Sequence, residues 1–375
     1  MMKKTAKILI NGKANQFLMK PTALILILGL FLAFSFTKTA SAQDPHFSQY
    51  FNNPTYYNPA YTGLSLGLKV RMHARKMWMD LPGENYLTNF SMDIADRNIP
   101  GAGGIGVLFN QTSEGLGTIK TTTTGFLPAV RIPLSQSAVI QVGAMAAFVT
   151  KEVNWDGNLI FADQLDPRWG YIGPSSFATP AANKVVYPDF SFGTVFQFEG
   201  NNVVGTLGAA AHHLMEPNQT FFNLDAPLPR KYVGHFDLII DVSEYEGYYN
   251  RRKGFKLNPG VLYQQQAGLS NFNIGLNLYM SHIYLGLWFR NDVLEYTEQS
   301  SMIFLAGINV GFGEGSRMKL VYSHDMAIST NNNFAGPSHE ISLILEFDNL
   351  KFFKQTDIIK NVNTRNFSPI ECSPF

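Results

Sequence analysis

Apolar residues alternate with small or polar residues through most of the chain after position 60. Leu68, Val70 and Met72, for example, are separated by Lys69 and Arg71. A two-residue period places alternate side chains on opposite faces of a β-strand. The pattern therefore predicts an all-β protein with fourteen strands, at residues 62–76, 86–94, 103–112, 117–132, 138–153, 188–199, 202–214, 231–242, 256–265, 272–280, 282–290, 300–311, 317–325 and 339–347.

Two architectures place such strands in contact with two different environments. A soluble β-sandwich turns its apolar face to a second sheet and a polar face, usually rich in Lys and Glu, to water. In this chain the second face carries mainly Gly, Ser, Asn and Thr with isolated charges. A transmembrane barrel instead turns its apolar face to lipid and a mildly polar face to its lumen. We therefore predict a transmembrane, antiparallel, up-and-down β-barrel of about 14 strands over residues 62–347.

The lengths of the connections support the barrel. If both termini are periplasmic, the connections after odd-numbered strands are extracellular, and 154–187, 215–230 and 326–338 are long. Connections after even-numbered strands include Gly200-Asn201 and the single Ser281, although 94–102 and 243–255 are longer. Short periplasmic turns and long outer loops are typical of outer-membrane barrels.

The N-terminus has the features of a cleavable export signal. Five lysines precede a 14-residue apolar run, Ala23 to Phe36, which is too short for a membrane-spanning helix. Ala40-Ser41-Ala42 then forms a small-x-small cleavage site, and no cysteine follows it that could carry a lipoprotein anchor. We predict a signal peptide at 1–42, with Met1 or Met19 as the start, and an N-terminal periplasmic segment or plug at 43–61.

The amino-acid composition excludes several classes of protein for this chain. Only 15% of the residues are charged and 45% are hydrophobic, which excludes a disordered chain. The single cysteine excludes a disulfide framework and a cysteine-based zinc site. Removing residues 1–42 removes six lysines and leaves a net charge of −5, so there is no nucleic-acid signature.

The residues after the signal carry the most specific motif. The runs Gln43-Asp44-Pro45-His46-Phe47-Ser48-Gln49-Tyr50 and Tyr56-Tyr57-Asn58-Pro59-Ala60-Tyr61-Thr62-Gly63 resemble the opening of the PorP/SprF family. Further similarity is found at 75–78, at 101–104 and at 161–164, and matching strand patterns cover essentially the whole mature chain. One departure is Lys76-Met77 before Trp78, where the family pattern has Gln next to the Trp.

The resemblance implies a location and a role. Members of this family are outer-membrane barrels of the type IX secretion system and gliding machinery of Bacteroidota. The resemblance implies a non-enzymatic role in exporting large surface proteins, such as gliding adhesins, or in keeping them on the cell surface. The partners that it implies are secreted surface proteins with a C-terminal targeting domain, periplasmic components of the secretion system and outer-membrane lipid.

Three X-Pro steps in the N-terminal motif favour an extended or turned chain. Aromatic residues lie between the prolines, so the segment could fill the barrel mouth as a plug, seal the periplasmic end or contact a partner. The residues of the motif that we single out are Pro45, Phe47, Tyr50, Tyr57, Asn58, Pro59 and Ala60.

The longest predicted outer loop, residues 154–187, is the candidate for contact with a secreted protein. Exposed Trp and Tyr are enriched at binding hot spots. An equally good interpretation is a lid that buries these rings in the lumen. The candidate residues are Trp155, Asp156, Phe161, Asp163, Gln164, Trp169 and Tyr171.

Two other segments carry weaker signals. The periplasmic turn at 244–253 is rich in Tyr and Arg, which fits an interface belt beside anionic lipid better than contact with a periplasmic component. The tail at 348–375 contains Cys372, for which the sequence suggests no chemistry.

No motif predicts an enzyme, a metal site or a cofactor. Gly101 to Gly106 fits G-x-G-x-x-G but precedes a strand, where a dinucleotide site needs a helix. His212-His213 and His324-Asp325 are expected to alternate between faces and so not to share a metal.

The leading hypothesis is therefore an accessory barrel whose outer loops hold a secreted protein. The alternative is a passive channel or a transporter of hydrophobic substrates, which would depend on lumen residues such as Arg71, Arg290 and Glu346. A third possibility is a purely structural barrel without a substrate.

Overall fold

A computed structural model describes most of the chain between residues 44 and 348. The described residues are 44–81, 83, 85–95, 102–115, 119–155, 160–177, 179–180, 182–222, 225–242, 245–246, 250–251, 255–280, 282–293, 298–313, 315–328 and 335–348. The predicted signal peptide, Asp156 and Cys372 lie outside them. In the described part, no helix is long and apolar enough to cross a membrane.

Fourteen antiparallel strands form a closed barrel, as the sequence predicts. Each strand pairs with its neighbours in the chain, and the first and last strands close the sheet through a register that runs from Leu68↔Phe347 to Lys76↔His339. The strands are β1 Gly67–Lys76, β2 Tyr86–Ala95, β3 Ala102–Glu114, β4 Ile119–Pro133, β5 Ala138–Val153, β6 Lys184–Glu199, β7 Val203–His212, β8 Lys231–Asp241, β9 Phe255–Gln266, β10 Leu269–Met280, β11 Ile283–Val293, β12 Glu298–Gly313, β13 Ser316–Ala327 and β14 Ser338–Phe347.

The two faces of each strand meet opposite environments. In β1 the side chains of Lys69, Arg71 and His73 are buried in the lumen, whereas Met72 on the outer face is 42% exposed. Large apolar residues cover the outside of the other strands as well, among them Phe109, Phe192 and Leu285. This arrangement inverts the distribution of a soluble protein and is the one that a lipid bilayer requires.

The two ends of the barrel differ in their connections. We call the end that carries the connections after odd-numbered strands the loop end, because the long connections from Val153 to Lys184 and from His212 to Lys231 leave and re-enter the barrel there. The other end, the turn end, has short connections at 134–137, 200–202 and 314–315. In outer-membrane barrels the loop end faces the exterior and the turn end the periplasm.

Residues 44–66, which we call the N-terminal segment, run through the barrel. The backbone N–H of Asp44 donates to Gln266 at the loop end of β9, at 2.7 Å. The carbonyl of Leu64 accepts from Arg131 near the turn end of β4, at 2.9 Å. Between them the chain forms three short helical turns, Tyr50–Asn52, Pro54–Tyr57 and Pro59–Tyr61. The segment therefore spans the lumen from the loop end to the turn end.

Candidate functional site: the filled lumen and the outer loops

Aromatic rings of the N-terminal segment form the core of the lumen with residues of β11. Trp288 is 1% exposed, and its ring stacks on Phe51 and meets Tyr50 edge-on, each at 5.2 Å between centroids. A Cβ on Gly275 would lie 2.4 Å from the Trp288 ring, so the neighbouring strand must carry glycine here. The core joins the segment to the wall through specific ring geometry, which is worth about 0.5–1.5 kcal/mol per aromatic pair beyond burial.

Asn58 connects the segment to β6, β7 and its own next turn. Its Nδ2 donates to the carbonyls of Thr194 and Ala209, at 3.1 and 3.3 Å. Its Oδ1 accepts from the backbone N–H of Ala60 at 2.9 Å, which caps the following turn. The side chain is fully buried, so these bonds satisfy an amide that would otherwise be costly to bury.

The backbone of the segment approaches the wall most closely at Pro59. A Cβ on Gly143 of β5 would lie 2.4 Å from the Pro59 carbonyl oxygen and 2.6 Å from Ala60 Cα. The wall residue must be glycine because only glycine leaves room for a second backbone at this distance.

Buried charges of the lumen pair with one another and with the segment. Asp325 accepts from Arg75 and Arg290, at 2.8 and 3.0 Å, and from the Ser48 hydroxyl. The backbone N–H of Ser48 donates to Glu340 at 2.6 Å. These contacts join β1, β11, β13 and β14 through one residue of the segment. Breaking such a buried pair costs more than forming it gains, so the network specifies one position of the segment.

The lumen residues named for the channel alternative are also engaged. Arg71 pairs with Asp93 of β2, and Glu346 accepts from Lys69 at 2.8 Å. Arg290 belongs to the Asp325 network. Two cavities remain between the segment and the wall, one of about 60 Å³ near His235 and Glu346 and one of about 140 Å³ near Asp44 and Lys151 at the loop end. Side chains and the N-terminal segment therefore occupy most of the described part of the lumen.

The structure corrects the expectation that His212 and His213 lie on opposite faces. β7 ends at His212, and His213 takes a positive φ of 56°, so both rings turn into the lumen. His213 bonds Asp44 and Asp189, at 2.7 and 2.9 Å, while His212 bonds the Tyr57 carbonyl and Ser191. The strict alternation holds only within a strand, and it fails one residue beyond its end.

Asp44 interacts electrostatically with this pair of histidines, through His213. Burial disfavours the charged imidazole of His213, but the carboxylates of Asp44 and Asp189 outweigh burial and raise its pKa to about 10. Burial likewise opposes ionisation of Asp44, and His213 nonetheless holds the pKa of Asp44 well below its usual range. The two groups form a charged clamp at the loop end.

Among the described residues, no group of three or more His, Cys, Asp or Glu could hold a metal ion.

The predicted residues of the outer loop fall into two sets. Trp155 and Phe161 pack in an aromatic cluster with Phe177, in which Phe161 stacks on Phe177 at 4.6 Å. Phe221 and Phe222 from the loop after β7 complete this cluster, at 5.9 and 6.2 Å from Trp155. Phe221 and Phe222 carry no signal in the sequence, because nothing in the chain indicates that Trp155 would meet a residue 66 positions further on.

The second set forms and presents a small hairpin at 165–171. The backbone N–H of Phe161 donates to Gln164 at 2.8 Å, and Gln164 donates to Gly173 at 3.1 Å. Asp163 accepts from Ser175 and Ser176, whose hydrogen bonds hold the pKa of its carboxyl below the usual value. Trp169 and Tyr171 project from this frame, 74% and 61% exposed. Of the predicted site, Trp169 and Tyr171 are therefore exposed to a partner, whereas Gln164 is buried and stabilises the loop itself.

The structure describes only four residues of the predicted periplasmic turn. Tyr245–Glu246 pairs with Asn250–Arg251 as a two-residue ladder. The other residues of 243–254 lie outside the described part.

The fold and the lipid-facing exterior define an outer-membrane β-barrel with an occupied lumen. The chain matches the family described as "Type IX secretion system membrane protein PorP/SprF" over residues 39–345. The protein belongs to this family. It is thus an outer-membrane component of type IX secretion, from a family of secretion-system barrels rather than of known enzymes.

Comparison with solved structures found other barrels at low similarity. A FadL homologue of Pseudomonas aeruginosa is 11% identical, with a TM-score of 0.38, over 75% of this chain and 89% of that one. The CymD monoaromatic hydrocarbon channel is 8% identical, with a TM-score of 0.38, over 79% and 91%. An outer-membrane channel of Pseudomonas putida F1 is 9% identical, with a TM-score of 0.35, over 76% and 98%. No curated protein matches the chain.

Proposed function

We propose that this protein is a non-enzymatic accessory of type IX secretion that supports the export or surface attachment of large, adhesin-like surface proteins. The observation that carries the proposal is the occupied lumen. The N-terminal segment bonds strands on several sides of the barrel, from β1 and β14 to β6 and β7, and so holds the wall as a rigid frame. A rigid frame can fix its outer loops as a docking platform.

The exposed face of the 165–171 hairpin is the part of the platform that would contact the secreted protein. Trp169 and Tyr171 offer large apolar surfaces, and Arg168 lies over the Trp169 ring at 5.6 Å. Exposed aromatic and arginine side chains are the residue types that dominate binding energy at protein interfaces. The partner would be a secreted protein with a C-terminal targeting domain, delivered by the secretion machinery.

Deletion of the gene tests the role in secretion. Surface shaving followed by mass spectrometry should show the loss of one or a few large proteins that share a C-terminal domain. Loss of all type IX cargo would instead indicate a core component. An unchanged surface profile would contradict the proposal.

Complementation with loop variants tests the docking face. Trp169→Ala with Tyr171→Ala should leave the amount of folded barrel unchanged and lower the client at the surface at least severalfold. Met215→Ala is a matched control, because Met215 is also exposed at the loop end but belongs to the connection between β7 and β8. Equal client levels in both strains would exclude the hairpin as the contact.

A further inference from the structure

Two histidines and a lysine form one row across the outer face of the barrel. His324 of β13 is the direct partner of His339 of β14, and His339 is the direct partner of Lys76 of β1. The row continues to Tyr86 of β2 on one side and to Phe304 of β12 on the other. Directly opposite side chains on adjacent strands lie about 5 Å apart, so the three basic groups are neighbours.

The row faces the membrane rather than the lumen. The residues that precede or follow each member, Arg75, Asp325 and Glu340, are buried in the lumen network. Lys76, His324 and His339 are half-buried on the outer face, beside the exposed rings of Tyr86 and Phe304.

The row lies near the loop end of the barrel, which is the end that faces the exterior in outer-membrane barrels. Lys76 is the last residue of β1, and His339 is the second residue of β14, so both lie at the loop end. Basic and aromatic side chains at this level meet lipid headgroups. Below the row, towards the middle of the barrel wall, Met72 and Ile341 are exposed and apolar.

No acidic side chain pairs with this row within the part of the chain that the structure describes. Among the ion pairs of the described residues, none involves Lys76, His324 or His339, whose polar contacts are with aromatic rings and a hydroxyl. Lys76 Nζ lies 5.2 Å from the Tyr86 ring centre, and His339 Nδ1 is 2.6 Å from the Tyr322 hydroxyl. By contrast, Lys184, another outward lysine at the loop end, pairs with Glu152 at 3.0 Å. The ammonium of Lys76 therefore lies beside two imidazole rings and has no carboxylate partner among the described residues.

We propose that this row binds the phosphorylated headgroup of an outer-leaflet lipid. Lys76 would supply a point charge, and the imidazole N–H groups of His324 and His339 would donate to the same phosphate. The acyl chains would run along Met72 and Ile341. This inference depends on the barrel lying in the outer membrane and not on the identity of the secreted client.

Lipid binding to the purified, detergent-solubilised full chain tests the proposal. Native mass spectrometry would follow the titration of diphosphorylated lipid A and of the same lipid after dephosphorylation. We expect preference for the phosphorylated lipid, and a loss of affinity of roughly tenfold or more in the Lys76→Gln, His339→Gln double variant. His324→Gln should give a smaller loss, and Lys184→Gln, the matched control, should leave the affinity unchanged.

Three outcomes would overturn the proposal. Equal binding of both lipids would show that the phosphate is not recognised. An unchanged lipid affinity in the double variant would show that the row is not the binding site. Full competition by millimolar inorganic phosphate would show a site for the free anion rather than for a lipid. Zn²⁺ binding that requires both histidines, with lipid binding unaffected by their loss, would make the pair a cation site. Heat-modifiable gel migration confirms that each variant remains a folded barrel.

Discussion

At the scale of single residues, the lumen depends on side chains that satisfy several groups at once. Asn58 caps the turn that follows it and bonds two wall carbonyls, while Ser48 contacts both Asp325 and Glu340. Each of these residues joins parts of the chain that are more than 130 positions apart. Loss of one such side chain therefore weakens a long-range connection and leaves buried partners without a bond.

Replacing Asn58 should show how much this connection contributes to the free energy of unfolding. Asn58→Ala leaves the buried N–H of Ala60 unpaired, and we expect a loss of about 2 kcal/mol in the free energy of unfolding. Urea unfolding of the protein in lipid vesicles, followed by tryptophan fluorescence, gives the value. Asn201→Ala, in an exposed turn between β6 and β7, should change it by less than about 0.5 kcal/mol. Equal effects of the two substitutions would contradict the role of Asn58.

The clamp between His213 and Asp44 should make the start of the N-terminal segment sensitive to alkali. The pKa of His213 is raised to about 10, so the stabilisation is complete below its ordinary value near 6.5 and is lost as the pH rises through about 10. Hydrogen exchange of residues 44–52, corrected for the intrinsic rate at each pH, should therefore increase between pH 7 and pH 10. In His213→Gln the exchange should be faster at pH 7 and nearly independent of pH. Identical profiles would contradict the clamp.

At the scale of elements, the N-terminal segment fits grooves that glycines open in the wall. Gly143 accommodates the backbone of Pro59, and Gly275 accommodates the ring of Trp288 beneath Tyr50. The wall and the segment are therefore shaped for one another, and a methyl group at either glycine would displace what lies against it.

Gly143→Ala should loosen the segment without opening the barrel. The added Cβ lies 2.4 Å from the Pro59 carbonyl oxygen, and overpacking of this kind costs about 1–3 kcal/mol. Gly234→Ala of β8 is the matched control, because nothing lies within 4 Å of its added Cβ. Limited proteolysis within 44–66 should be faster in Gly143→Ala and unchanged in the control. Equal protection in both variants would show that the segment is not packed against β5.

The elements differ in how much of them the sequence could predict. All fourteen strands follow from the two-residue period, because each strand separates lipid from lumen along its own length. The period fails at His213, where a left-handed residue ends the alternation. The period also cannot show that Asp44 lies at the loop end, since the path of the N-terminal segment depends on contacts such as that of Ser48 with Glu340, 292 positions apart.

The candidate site was predictable to a lesser degree. The aromatic residues of the outer loop indicated it as a candidate contact site. The contact between Trp155 and Phe221 could not be predicted, because only the closed barrel brings their two loops together. The predicted roles of Trp169 and Tyr171 remain predictions, and Asp156 lies outside the described residues.

At the scale of the whole molecule, closure of the sheet and occupation of the lumen act together. An empty barrel of fourteen strands would be wide enough for water, since smaller barrels of about eight strands are the ones that side chains alone fill. Here residues 44–66 supply the missing volume and pair with the inward charges. The barrel is therefore a solid frame between its outer loops and its periplasmic turns, which suits a platform better than a pore.

The conductance of the purified protein in a planar lipid bilayer tests this closure most directly. We predict no steady current above that of the lipid alone for the complete chain. A variant in which residues 48–64 are replaced by a flexible Gly-Ser linker should conduct, which would show that the barrel itself inserts and that the segment closes it. Stable, ohmic current through the unaltered protein would contradict the filled lumen and would favour the channel hypothesis.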